Sequence, residues 1–337
     1  MPTSLLDLTN QAYAKNRRLV VPLLGFPGVR MCHTTVKMAQ QNVQTHLRVL
    51  EAIYHEFKPD AVFPLMDLSV EANALGRYVD FPVNDSATVH PRSFDFNELD
   101  QLAQVDLSGD SRVWAYGETV RKMRQQLPRY VLMGAYVTGP YTLAALINGA
   151  ENTALATLTQ PDDLHRLCEI ATNKIRTYLN HLIRAGADVI CVLEPTAVML
   201  GPNEFESFSA RYIRELMNEC HDRNKPVILH ICGDTRHLIT PMNTLGMDGL
   251  SLDSPAHGID LPAIINQVDP ATVLMGNVDP VREIMQGTPA SIQKAVTDLM
   301  KTLAERPNFI LSTGCDIPLE APLENIHAFM QTGRARA

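Results

Sequence analysis

Residues 189–233 read VICVLEPTAVMLGPNEFESFSARYIRELMNECHDRNKPVILHICG, and this stretch decides the fold class. It begins and ends with an apolar, β-branched run, at 189–195 and 227–233, and neither run alternates apolar with polar residues. Such runs are typical of strands that are covered on both faces of a parallel sheet. The segment between them, 203–223, follows a proline and has the spacing of an amphipathic helix. The stretch therefore predicts one strand–helix–strand unit of an α/β fold.

The same alternation continues along the chain. Eight apolar runs are predicted as strands, at residues 19–25, 61–67, 130–137, 189–195, 227–233, 249–253, 273–279 and 309–315. Helical patterns accompany them at residues 42–57, 161–185, 203–223, 290–306 and 323–334. Eight strands with helices between them favour a (β/α)8 TIM barrel, although an open sheet of eight parallel strands has the same pattern.

One region does not fit this alternation. Residues 79–126 contain PVNDSATVHPRSFDFNELD and do not read as a single helix, so we predict an insertion after the second strand that covers the barrel mouth. The sequence shows no internal repeat and no domain boundary. We therefore interpret residues 1–337 as one α/β domain.

Composition excludes several classes of function. The chain has 337 residues, a formal net charge of −8 and 45% hydrophobic residues, which argues against a disordered protein and against a nucleic-acid binder. No apolar run is long enough for a membrane span, and the first residues do not have the pattern of a signal peptide. We expect a cytoplasmic protein whose six cysteines are reduced.

Polar residues follow the predicted strands where those strands end. In a TIM barrel the reactive groups lie at this C-terminal end, where eight loops meet. Ionisable residues in such places are costly to bury without partners, so packing alone does not explain them. The residues in question are Asp67, Glu194, His230, Cys232, Asp253, Asn277, Asp279, Cys315 and Asp316.

Three of these residues form a candidate zinc site. His230 and Cys232 are two positions apart and project from the same face of their strand, while Cys315 ends another strand across the mouth. One His and two Cys are zinc ligands, and three protein ligands leave a fourth position open, as in catalytic sites. A buried Cys beside a hydrogen-bonded His is the alternative. The ligand type favours activation of a thiol for alkyl transfer, with hydrolysis as the second possibility.

Six segments resemble the uroporphyrinogen decarboxylase superfamily, and within it the zinc-dependent methylcobamide:thiol methyltransferases. They are KPDAVFPLMDLSVEANALG at 58–76, GPYTLAALI at 139–147, EPTAVMLGPNEFESF at 194–208, PVILHICGD at 226–234, GNVDP at 276–280 and STGCDIPLEAPLENI at 312–326. The resemblance covers nearly the whole chain. It implies a (β/α)8 barrel with its site at the C-terminal mouth.

The decarboxylase and methyltransferase branches differ at particular positions. Decarboxylases have an arginine-rich segment where this chain has GFPGVRMCHTT, with Arg30 alone. They have a tyrosine where Leu146 stands, and a Gly-His-Gly context where this chain has Cys315. They also lack the His-x-Cys pair. The resemblance therefore implies the methyltransferase branch, with metal-independent uroporphyrinogen decarboxylation as the alternative.

The resemblance also implies roles for the site residues. His230, Cys232 and Cys315 would hold Zn²⁺, and a corrinoid protein would dock over the mouth with methylcobalamin or a related corrinoid as methyl donor. The acceptor would be a small thiol such as coenzyme M. A corrinoid-binding scaffold without catalysis is a third hypothesis, and a homo-oligomer is compatible with the sequence.

The remaining candidates surround this zinc site. Asp253, or with less support Glu194, would be a labile ligand or would hydrogen-bond the His ring, and Asp67 matches a catalytic aspartate of the decarboxylases. Asp67 and Glu71 would line the pocket, unless they are ordinary loop or helix-start carboxylates. Arg30 and Asn277 are the other candidates for substrate binding, Arg30 as the basic contact for an acceptor sulfonate.

Overall fold

The computed structural model describes residues 4–335, and these form an eight-stranded parallel sheet that curves into a barrel. A two-stranded antiparallel hairpin stands apart from it. The sheet contains β1 (Leu19–Val20), β2 (Ala61–Val62), β5 (Leu132–Thr138), β6 (Val189–Leu193), β7 (Val227–Ile231), β8 (Gly249–Leu252), β9 (Val273–Val278) and β10 (Phe309–Thr313), and the hairpin contains β3 (Val79–Asp80) and β4 (Thr88–Val89). The predicted (β/α)8 fold is confirmed.

The barrel closes between its first two strands. The sheet order runs from β1 through β10, β9, β8, β7, β6 and β5 to β2. Asp60, directly before β2, joins the two ends, because its N–H donates to Val20 O and its carboxylate accepts from Val20 N at 2.8 Å. Apolar side chains fill the interior, and Leu5 of the first helix packs against Gly249 there. The open-sheet alternative is therefore excluded.

Helices surround the barrel and bury their apolar faces against the outer side of the strands. They are α1 (Leu5–Tyr13), α2 (Phe26–Met31), α3 (Val36–Gln41), α4 (Val43–Phe57), α5 (Ser69–Ala74), α6 (Leu99–Gln104), α7 (Ser111–Gln126), α8 (Pro140–Asn148), α9 (Ala150–Thr159), α10 (Pro161–Ala185), α11 (Pro202–Phe205), α12 (Arg211–His221), α13 (Ile239–Asn243), α14 (Leu261–Ile264), α15 (Pro289–Thr302) and α16 (Leu323–Arg334). Short 3-10 or π segments add Phe96–Glu98, Leu107–Gly109, Pro195–Met199, Glu206–Ala210, Arg236–Leu238, Pro255–His257, Ile265–Gln267 and Pro280–Met285. Among the described residues, no helix has the length and apolar character needed to cross a membrane.

The first two strands are shorter than predicted. The apolar runs extend to Gly25 and Asp67, but the strands end at Val20 and Val62. Pro22 and Pro64 follow closely, and proline has no N–H with which to continue the ladder. The residues beyond the strands stay buried, and Leu23 N finds its acceptor in the Thr313 side chain instead. Hydrophobicity therefore predicts that these segments are buried, but it overestimates the length of the two strands.

Only the first part of residues 79–126 is an insertion into the barrel. This part forms the β3–β4 hairpin and α6, and residues 84–86 reach the loop after β10 at the mouth. The last part is α7, which packs against α4 and α10 as a barrel helix. Asp110 starts this helix by accepting hydrogen bonds from two of its free N–H groups.

Candidate metal centre and the surrounding rim

The donor atoms of His230, Cys232 and Cys315 lie together at the barrel mouth. His230 belongs to β7 and points into the barrel, while the two cysteines follow the ends of β7 and β10. His230 Nε2 is 3.0 Å from Cys232 Sγ and 3.9 Å from Cys315 Sγ, and the two sulfurs are 3.6 Å apart. Among the described residues, this trio is the only group of three or more His, Cys, Asp or Glu that could hold a metal ion.

The spacing of these atoms suits a tetrahedral ion. Zn–S bonds of about 2.3 Å and Zn–N bonds of about 2.0 Å, at the tetrahedral angle, place two sulfurs about 3.8 Å apart and a sulfur and nitrogen about 3.5 Å apart. The observed sulfur–sulfur distance of 3.6 Å is slightly shorter than the expected value, and the sulfur–nitrogen distances of 3.0 and 3.9 Å lie on either side of theirs. The residues therefore fit zinc by donor type and by distance, with one coordination position left for another ligand.

Ser251 orients the imidazole. It stands beside His230 on the neighbouring strand β8, and its Oγ lies 2.9 Å from His230 Nδ1. If Nδ1 donates its proton to Ser251 Oγ, as it must when Nε2 binds a metal, the Nε2 lone pair faces the two sulfurs. Asp253 and Glu194 were expected in this place, and neither contacts the ring. The sequence signal for Ser251 was a small polar residue within an apolar strand.

Two glycines allow the cysteine loops to converge. Gly233, directly after Cys232, has a φ of +86°, a left-handed conformation that side chains other than glycine rarely adopt. A Cβ on Gly314 would lie 2.5 Å from Ser254 N, so the loop that carries Cys315 needs glycine at this contact. Asp253 links the same loops, since its carboxylate accepts from Gly233 N at 2.7 Å and from Ser254 N at 2.6 Å.

The two neighbouring thiols lose their first proton readily and hold the second, which lies between the sulfurs, tightly. The hydrogen bond from Cys232 lowers the pKa of Cys315 well below its usual value, with further help from His230. The same contact raises the pKa of Cys232, because loss of a second proton places two thiolates side by side in a buried site. A divalent cation between them would remove that repulsion, which is a further reason to regard the trio as a metal centre.

Glu194 is buried away from the trio and holds the start of α8. Its carboxylate accepts from Tyr141 N, Thr142 N and Ser209 Oγ at 2.7–3.0 Å. These donors are the free N–H groups of a helix N-terminus together with one hydroxyl. Burial raises the pKa of Glu194, and the hydrogen bonds oppose that shift. The contacts of Glu194 are thus those of a helix anchor.

Asp67 belongs to a buried ion pair that the sequence did not predict. It accepts from Arg112 and from Tyr116 Oη on α7, and its other oxygen accepts from Ser69 N and Oγ. Both carboxylate oxygens are therefore satisfied. Arg112 and Tyr116 lie in the stretch interpreted as an insertion, where nothing marked them as partners of a residue at the mouth.

Glu71 is a second buried carboxyl beside this pair. Its oxygens accept from Thr138 N at 2.7 Å and Thr138 Oγ1 at 3.0 Å, at the end of β5. Burial raises the pKa of Glu71 to about 7. His46 is buried nearby with its ring edge against Tyr116, and burial lowers its pKa to about 4. The structure places Glu71 under the rim, bonded to the backbone, rather than free to meet a ligand.

Arg30 and Asn277 donate to backbone carbonyls. The Arg30 guanidinium contacts Glu320 O at 3.1 Å and Ala321 O at 2.7 Å, which ties α2 to the loop after β10. Asn277 Nδ2 donates to Asp253 O and Ile259 O at 2.7 and 2.8 Å. These contacts do not place either residue against the trio, and the Arg30 guanidinium, which was expected to receive an acceptor sulfonate, donates to two backbone carbonyls instead.

Comparison with known proteins places these features in a family. The family model described as "Uroporphyrinogen decarboxylase (URO-D)" matches residues 26–336. Curated relatives include a uroporphyrinogen decarboxylase of Synechococcus sp. (strain CC9605), 28% identical over 84% of this chain and 80% of its own. Another uroporphyrinogen decarboxylase, of Prochlorococcus marinus, is 27% identical over 90% of this chain and 86% of its own.

Solved structures share the fold at lower identity. A methyltransferase from Methanosarcina mazei superposes with a TM-score of 0.86 over 98% of both chains, at 21% identity. A B12-independent methionine synthase from Shewanella sp. W3-18-1 gives a TM-score of 0.56 over 86% of this chain and 87% of its own, at 10% identity. At these identities the similarity shows only that the barrel fold is shared. The chemistry has to be inferred from the residues of the site.

Proposed function

The chain belongs to the uroporphyrinogen decarboxylase family, and on that premise we propose that it is a zinc-dependent methyltransferase of the methylcobamide:thiol type. The observation that carries the proposal is the convergence of His230 Nε2, Cys232 Sγ and Cys315 Sγ within 3.9 Å at the barrel mouth. Two thiolates and an imidazole neutralise a divalent ion, so a third sulfur can join as the fourth ligand.

When bound, zinc would supply the charge that keeps an acceptor thiol deprotonated at neutral pH. The chain's own residues prepare this position. Ser251 fixes the His230 ring, and Asp253 and Gly233 fix the turn that carries Cys232. Apolar side chains fill the barrel below, and they would shield a bound sulfur from water on that side.

The proposed reaction joins the acceptor sulfur to a methyl group carried by a corrinoid, itself held by a partner protein over the mouth. A sulfur lone pair forms the S–C bond, and the electron pair of the Co–C bond stays with cobalt, which leaves as Co(I). The thiol proton goes to solvent. Coenzyme M is the acceptor that the family resemblance suggests.

Decarboxylation of uroporphyrinogen is the alternative, since curated relatives at 27–28% identity have that name. A substrate with several carboxylates needs free cations at the mouth. Arg112 is paired with Asp67, and Arg30 is the one arginine in residues 25–35, so that segment offers a single cation for several carboxylates. The observed contacts therefore favour methyl transfer.

The test combines zinc analysis with an anaerobic assay of methyl transfer from methylcobalamin to thiols, read by the absorbance of the corrinoid and by mass spectrometry of the thioether. We expect about one zinc per chain and thioether formation. The Cys315→Ser variant is expected to lose both. The matched control is Cys32→Ser, which removes a thiol outside the trio.

Three results would contradict the proposal. The first is a Cys315→Ser variant that keeps full zinc and activity. The second is loss of carboxyl groups from uroporphyrinogen without a metal. The third is a zinc-loaded protein that binds corrinoid and transfers no methyl group to any thiol, which is the behaviour expected of a scaffold.

A further inference from the structure

The sulfur atoms of Cys232 and Cys315 lie within reach of each other. Both residues are free thiols, 83 positions apart in the chain, and the fold brings their Sγ atoms to 3.6 Å. The S–S bond of a disulfide is about 2.05 Å long, so the gap closes when each sulfur moves by about 0.8 Å. Without a metal ion between them, the two sulfurs are therefore close enough to bond to each other after a small movement.

The backbone lets the sulfurs make that movement. Cys232 follows the end of β7 at Ile231, and Cys315 lies two residues beyond the end of β10 at Thr313, so neither belongs to a strand. A rotation of roughly 30° about a Cα–Cβ bond, which side chains in folded proteins tolerate at modest cost, moves Sγ by nearly this distance. The residues adjoining the two cysteines include glycines, at 233 and 314, which carry no side chain that would stand in the way.

The two thiols are also partly exposed at the barrel mouth. Both residues are half-buried, whereas Cys168, Cys191 and Cys220 are buried, with at most 2% of their surface exposed. Small oxidants react with the thiols that they can reach. Cys32 is the other half-buried cysteine, but its Sγ contacts Arg48 O at 3.4 Å and lies outside the trio. The pair at the mouth thus combines access for an oxidant with a second sulfur in contact.

We propose that Cys232 and Cys315 form a modification site, at which a hydroperoxide converts the metal-free thiols to a disulfide that excludes zinc until a thiol reductant restores the pair. The inference rests on the proposed function only for the assignment of zinc to the trio. Zinc needs the two sulfurs as thiolates about 3.8 Å apart, and a disulfide offers neither that charge nor that spacing. Oxidation would leave His230 as the single protein ligand of the trio.

The reaction balances with one molecule of hydrogen peroxide. One thiol sulfur attacks an oxygen of the peroxide, the O–O bond breaks, and a sulfenic acid and water form. The second sulfur then displaces the hydroxyl group of the sulfenic acid, so that the S–S bond forms and its proton leaves with that hydroxyl as a second water. Each sulfur loses one electron, and the peroxide takes up both. Zinc bound to the pair would hold the sulfurs apart and occupy their lone pairs, so the loaded protein should react more slowly.

The test exposes the metal-free and the zinc-loaded protein to a small molar excess of hydrogen peroxide and follows the intact mass. We expect the metal-free protein to lose about 2 Da, the mass of two hydrogen atoms, and peptide mapping to join the peptides of Cys232 and Cys315. The zinc-loaded protein should react roughly tenfold more slowly or less. Competition with a chromogenic chelator should show that the oxidised protein no longer binds zinc and that dithiothreitol restores binding.

Two variants identify the sulfurs involved. Cys32→Ser is the matched control, because it removes a half-buried thiol outside the trio and should still form the disulfide. Cys315→Ser leaves Cys232 without its partner, so that sulfur should gain oxygen instead of losing hydrogen, and circular dichroism checks that the variant is folded. A wild type whose two thiols gain oxygen without a cross-link would overturn the inference. So would a cross-link that persists in Cys315→Ser, or an oxidised protein that keeps its affinity for zinc.

These measurements use neither a corrinoid nor an acceptor thiol, so they separate this inference from the proposed function. A disulfide that forms and excludes zinc, in a protein that methylates no thiol, would contradict the proposed function and support the inference. Methyl transfer by a protein whose two thiols are oxidised independently of each other would support the proposed function and overturn the inference.

Discussion

Replacement of Ser251 by alanine tests whether the imidazole is held ready for a metal. Ser251 Oγ lies 2.9 Å from His230 Nδ1, and both side chains are buried. In the metal-bound protein the Nε2 lone pair is used, so the ring proton must sit on Nδ1, where the variant offers no acceptor. In the metal-free protein the proton can move to Nε2, beside Cys232 Sγ at 3.0 Å. The penalty therefore falls on the metal-bound form.

The magnitude follows from the lost hydrogen bond. A buried N–H without an acceptor costs about 1–3 kcal/mol. Removing the partner of a metal-binding His typically lowers metal affinity by about 10-fold to 100-fold, which corresponds to roughly 1.4–2.7 kcal/mol. We expect Ser251→Ala to fall in that range.

The assay is competition for zinc with a chromogenic chelator, combined with urea unfolding of the metal-free protein. The matched control is Ser312→Ala. Ser312 is equally buried, on β10, and its hydroxyl has no hydrogen-bond partner in the described residues. Zinc affinity in Ser251→Ala that equals the wild type, or an equal loss in Ser312→Ala, would show that the Ser251 hydroxyl does not hold the ring for the metal.

Three further predictions concern the residues that support the mouth. Burial raises the pKa of Glu71 to about 7, so ionisation of this carboxyl lowers the stability of the wild-type protein as the pH rises from about 4.5 to 7. Glu71→Gln has no proton to lose there, so in urea unfolding its free energy of unfolding should rise by roughly 3 kcal/mol relative to wild type across that window. A difference that does not change with pH would contradict this. Gly139→Ala would place a Cβ 2.0 Å from Glu194 Oε2, and we expect a loss of about 1–3 kcal/mol in the same measurement, with no loss as the contrary result. Arg112→Met leaves Asp67 buried without its cation and should lower the free energy of unfolding by about 3–5 kcal/mol. The double variant Arg112→Met with Asp67→Asn should lower it by less. An equal loss in both variants would show that the ion pair is not the cause.

The sequence predicted the barrel because its signals are local. Apolar runs and helical spacing are properties of neighbouring residues, and α10 and α16 have the predicted bounds, 161–185 and 323–334. The ends of β1 and β2 were wrong where Pro22 and Pro64 interrupt the ladder. Both prolines are visible in the sequence, so the missing N–H was a local signal that the apolar character of the runs outweighed in the prediction.

The rim was harder to predict because a carboxylate after a strand has two uses. It can face a ligand, or it can satisfy the free N–H groups where the next loop or helix begins. Glu194 and Asp253 accept from such backbone groups, and Asp67 pairs with Arg112 from a distant helix. The position of each residue at the mouth was predictable, and its partner was not. Asp316 was predicted at the rim, but only the structure shows that its Oδ2 has no donor among the described residues.

The central claim is that His230, Cys232 and Cys315 share one zinc ion, and X-ray absorption at the zinc edge of the purified protein tests it most directly. We expect two sulfur neighbours at about 2.3 Å and one imidazole nitrogen at about 2.0 Å, with a third sulfur when a thiol acceptor is added. A zinc shell of nitrogen and oxygen alone, or a protein that holds no zinc after loading and washing, would contradict it.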